Sequence, residues 1–225
     1  MSPICVLTQV PESTIQLLLK SPKLLPVFLR RSLPCQHVKQ ERQNWLRGSF
    51  SRQPKELTPL EQSIEASSTH VSLDKSWHGL HYLLAGNSGG GHMPDGFLLS
   101  GGTVVEDDEA AKSGGAVAWQ QLISGGAALD ELHSRLGPAR AFSIAQVQSI
   151  HSYLASNAWP ELRHRYQPET MQKLRLYPQF WVEDQNEVGP LLYLQRHFSR
   201  LQQFVGHAAE SKAGMLIHFV SAVVF

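Results

Sequence analysis

Two histidines three residues apart, His78 and His81, stand in the run Leu73-Asp74-Lys75-Ser76-Trp77-His78-Gly79-Leu80-His81. On a helix such residues are neighbours, so two imidazoles can share a metal ion. A zinc site needs further ligands, and no spacing supplies them. They would have to come in on loops, from His70, His92 or the acidic run Glu106-Asp107-Asp108-Glu109. Zinc sites declare a tighter ligand pattern than this, so no metal and no other cofactor is expected.

Proton transfer is a second chemistry within reach. His81, Arg140 and Tyr177 with a carboxylate such as Asp107 would give a pocket an imidazole that titrates near neutrality, a cation for an anionic group and an acid. Hydrolysis or group transfer would suit that set. The competing reading has Arg140 pairing with a carboxylate to fix a turn, the acidic run solvated and His81 buried and hydrogen-bonded to backbone or a carboxylate. It carries more weight, because no spacing fixes the mutual geometry. Trp77 and Trp181 are the candidate binding residues. Phe180-Trp181 with Tyr177 would anchor a partner or, with more weight, plug the space beneath the last helix. Gly89-Gly90-Gly91-His92 lacks the Lys-Ser/Thr of a phosphate loop, Lys112-Ser113-Gly114-Gly115 has the wrong order, and no Gly-x-Ser-x-Gly elbow occurs.

The elements that must position these residues are legible from pattern. Asp74 is a natural N-cap and Gly86 a terminator, which predicts a helix through Ala85. Trp77, Leu80, His81 and Leu84 fall on one face; His78, Tyr82 and Ala85 point elsewhere. Ile4 to Val10 reads as a buried strand, followed by helices through Ile15 and Leu18 and from Lys23 to Arg31. Thr58-Pro59-Leu60-Glu61 and Ser143-Ile144-Ala145-Gln146 are capping-box patterns, and Pro168 opens a short helix. Leu176 to Trp181 is an aromatic turn. The longest helix spans about Gly189 to Glu210, with Leu194, His197, Phe198, Leu201, Phe204, Val205 and Ala208 as its stripe. Gly214 precedes a last buried strand, Met215 to Val220. Strands at both ends with helices between predict an α+β fold, a small mixed sheet in which the N- and C-terminal strands lie near each other under several helices.

A chain of 225 residues suits one domain, with loops or insertions expected at 33–69 and 110–135. Its net charge of +1 offers no field for nucleic acid or anionic membranes. Cys5 and Cys35 form no CxxC pair, the start lacks a signal peptide's charged and apolar regions, and the apolar end from Met215 is shorter than a membrane helix. A cytoplasmic location is the expectation.

Three segments together carry a resemblance: Leu73 to His81, Gly137-Pro138-Ala139-Arg140, and Leu176-Tyr177-Pro178-Gln179-Phe180-Trp181. With the long helix and final strand in order, the chain resembles the YfbM-like family, a bacterial domain of unknown function, over nearly its whole length. The resemblance implies a compact α+β fold and a cytoplasmic bacterial protein. It brings no activity, so no catalytic residue is carried over. The chain departs from the family at 33–69, at 110–135 and at Gln167, where Asp is usual. The leading expectation is a non-enzymatic binding module, regulatory or immunity-type, meeting a protein partner through the loops between Leu33 and Arg135. The alternative is a small-molecule hydrolase or transferase built on a His81/Arg140 pocket.

Overall fold

Apolar β-branched residues at the start of the chain form β1 (Ser2–Val10), and a matching run at the end forms β5 (Gly214–Ala222). The two pair antiparallel, from Ser2 opposite Ala222 to Val10 opposite Gly214, so the first and last strands are neighbours as their patterns predict. The computed structural model describes residues 2–32, 58, 69–85, 125–134, 137–183 and 189–222. Three further strands complete the sheet: β2 (His70–Asp74), β3 (Ala127–Ser134) and β4 (Gly137–Phe142), in the order β2-β1-β5-β4-β3.

Seven helices are described: α1 (Glu12–Lys20), α2 (Leu25–Ser32), α3 (Trp77–Ala85), α4 (Ile144–Ser156), α5 (Trp159–Arg163), α6 (Pro168–Lys173) and α7 (Pro190–Glu210). The class is α+β. Where a mixed sheet was expected, every described pairing is antiparallel. β3 and β4 form a hairpin, and the turn after α7 feeds β5 in opposite to both its neighbours.

Side chains alternate across the sheet. Cys5, Leu7, Phe142, Met215, Ile217 and Phe219 meet the larger core, shared with α3, α4 and α7. Val10, Leu129, Ala139, Ala141 and Leu216 meet a smaller one beneath α1 and α2. Ser143 caps α4 with the expected box: the Gln146 amide donates to Ser143 Oγ and the Ser143 amide to Gln146 Oε1 at 2.9 Å. Pro168 opens α6 and Gly189 precedes α7, both as predicted.

Two stretches differ from their reading. The insertion expected to run to Arg135 contains β3, whose Ala-Ala-Leu-Asp-Glu sequence has little intrinsic strand preference and is recruited by pairing with β4. Asp74 is no N-cap. It ends β2 at a positive φ of 48°, and α3 starts at Trp77, its first turn closed by the Leu80 amide on the Ser76 carbonyl at 2.8 Å. Among the described residues, no helix is long and apolar enough to cross a membrane. The Thr58 box beyond Thr58 itself, the glycine-rich loop and the acidic run with Asp107 lie outside the described residues.

Candidate functional site

All nine residues of α3 are buried, so its apolar surface has no solvent face for a polar side chain to seek. Helical phase separates His78 from His81, yet the structure buries both, at 3% and 5% exposure. The reason is tertiary. α3 lies between the sheet, where Trp77 meets Phe219 edge-on at 5.2 Å, and a second layer made by the 176–181 turn and α7.

That second layer fits because Gly79 has no side chain. A Cβ there would stand 2.5 Å from Cη2 of Trp181 and 2.9 Å from Cδ2 of Leu194. Trp181 is fully buried and donates its indole N–H to the Leu176 carbonyl at 2.7 Å, while the Gln172 side-chain amide donates to the Trp181 carbonyl. Trp181 is thus the plug of the two readings offered for it. The Tyr177 amide donates to Nδ1 of His78 at 3.0 Å. His78 stacks on Trp77 at 5.0 Å and 7°, and Tyr177 lies on Trp77 at 5.8 Å.

A second group sits at the end of β2, the outer strand of the described sheet. Tyr193, in the first turn of α7, donates to Oδ2 of Asp74 at 2.9 Å and accepts from the Lys75 amide at 3.1 Å. The Asp74 amide is taken by Ser72 Oγ, and His197 interacts with the Ser72 backbone. These contacts join α7 to the end of β2. Burial first, then the bond to Asp74, raises the Tyr193 hydroxyl, so it keeps its proton. Burial, with Arg200 adding to it and Asp74 opposing, lowers His197. No spacing rule links residues 119 apart, so the sequence reading passed over Tyr193 and took Asp74 for a cap.

Of the residues proposed for catalysis, His81 is pushed down to about 3 by burial and then by His78, and stays neutral at ordinary pH. Arg140 lies across from Ile217 on the sheet face that Trp77 meets at Phe219. Its guanidinium donates to the Gly125 carbonyl at 2.9 Å and more weakly to Gly126, fixing the turn into β3. Tyr177 joins Trp77 and His78 instead of Arg140 in the contacts described above. Chemically the cluster is an aromatic and imidazole layer joined to the turn through the Tyr177–His78 bond, while Trp77 Nε1 and the Tyr177 hydroxyl are buried without a hydrogen-bond partner among the described residues.

A sequence profile of a domain of unknown function, DUF1877, matches residues 1–218. Among solved structures, the crystal structure of a protein of unknown function, YfbM from Escherichia coli, is similar in fold. The TM-score is 0.56 at 13% identity, over 96% of this chain and 99% of that one. No curated protein matches the chain.

Proposed function

The chain belongs to the DUF1877 family, and from that premise we propose that it is a non-enzymatic binding module whose protein partner meets the exposed edge of the 176–181 turn. The observation that carries this reading is the pair Phe180 and Val182, 40% and 51% exposed beside a fully buried Trp181. Phe180 is braced by Trp181 at 4.9 Å and edge-on by Tyr193 at 5.5 Å. A rigid aromatic anchor loses little freedom on binding, and such anchors dominate interface energies. Ser76, His78 and His81 of the Leu73–His81 segment are buried, and the neutral His81 supports binding over proton transfer. The bacterial cytoplasm is the setting we take for it, from the free thiol of Cys5 and its likeness to the Escherichia coli protein.

Photo-crosslinking tests the reading. A benzophenone side chain at position 180, with one at the exposed Ser152 as control, is expected to trap one protein from the source cell at 180 alone. That protein, purified, should bind the native chain, and Phe180→Ala should weaken the Kd by about tenfold or more. Equal trapping at both positions, or unchanged affinity in Phe180→Ala, overturns it.

A further inference from the structure

We propose that His78 is an acid-sensitive latch for the 176–181 turn: a proton added at its Nδ1 frees the turn from α3 while the sheet and α7 stay folded. A backbone amide can only donate. Since the Tyr177 amide points at Nδ1 of His78 at 3.0 Å, that nitrogen must accept, and the neutral ring carries its hydrogen on Nε2. A proton at Nδ1 would set two N–H groups against each other in a site closed to water, turning an attraction into a repulsion.

The surroundings decide which side gives way. His78 lies parallel to the Trp77 indole, and a charged imidazole gains from that aromatic face, so the ring stays where it is. His81 stands on the next turn of α3, and Tyr177 lies over Trp77; behind Tyr177 are Tyr193 and Asp74, with His197 and Arg200 on α7. The bonds of Trp181 described above stay within the turn and α6, and Tyr166 holds the Val182 carbonyl at 2.8 Å. The Tyr177–His78 bond ties that assembly to α3, and it is the one that a proton reverses. This inference concerns the turn itself and stands whether or not Phe180 takes a partner.

Amide hydrogen exchange on the native chain, followed by NMR from about pH 8 to about pH 5, tests it across the range where imidazoles titrate. After correction for intrinsic rates, protection of the Tyr177 amide and the Trp181 indole N–H should fall about tenfold more than that of α7 amides, the scale of one lost hydrogen bond. His78→Asn places an acceptor that does not titrate near the Nδ1 position and should abolish the fall. Long-range proton–nitrogen spectra of the native ring give a readout that needs no variant: Nδ1 should be bare at high pH and gain its proton as the turn opens. A proton on Nδ1 at pH 8 overturns the proposal. So does Tyr177 protection that follows α7 at every pH, or an undiminished fall in a folded His78→Asn chain.

Discussion

Helices α3 and α7 flank the same aromatic turn, yet they obey different rules. α7 is amphipathic: Leu194, Phe198, Leu201, Phe204, Val205 and Ala208 are buried, while Arg196, Ser199, Arg200 and Gln203 are exposed. α3 is buried on every side. Phase reads a helix laid on a core, because one face meets water; it misreads a helix inside one, because no face does. His197 and His78 illustrate this. Each is buried, but the α7 stripe predicts the first whereas the α3 phase argument turns the second away from the core.

If α3 is the closed layer described, emptying the site behind it is the severest test. Trp181→Ala should cost about 3–5 kcal/mol in denaturant unfolding, as large aromatic truncations in full cores do. A loss under about 1 kcal/mol would mean that Trp181 does not close the layer.

Acid should act next. His81 and His218 are held neutral by burial, with folded values of about 3 and about 4 against an ordinary 6.5. As pH falls below 6.5 the unfolded chain takes these protons and the folded chain does not, so their stability, full above that pH, drains away towards those values. The slope should be roughly 1 kcal/mol per pH unit for each ring, seen as a falling Tm. His81→Gln should flatten it by about half, because His218 is left to titrate.

The same substitution should have opposite signs in the two helices. Gly79→Ala drives a methyl group into Trp181 and Leu194 and should destabilise by roughly 1–3 kcal/mol. Among the described residues Gly206→Ala meets only His151, at an ordinary 3.5 Å, and should stabilise by about 0.5–1 kcal/mol, because alanine favours a helix over glycine. Equal signs in chemical denaturation would erase the distinction between the helices.

Local signals in the sequence determined much of the framework. The terminal strands, the Ser143 box, Pro168 at the start of α6 and the stripe of α7 each rest on short-range rules of periodicity and capping, and each is present as read. Trp181 as a plug was also among the readings that residue type allows, whereas Arg140, expected to hold a turn through a carboxylate, donates to the backbone carbonyls of Gly125 and Gly126. Three things belonged to the tertiary structure: the recruitment of β2 and β3 as strands, the antiparallel sense of the sheet, and the meeting of Asp74 with Tyr193 and of His78 with Tyr177. Strand pairing and burial are set by neighbours distant along the chain, and no local period records them. The candidate site lies where those long-range contacts converge, so the sequence named several of its residues, but only the fold could say which of them touch.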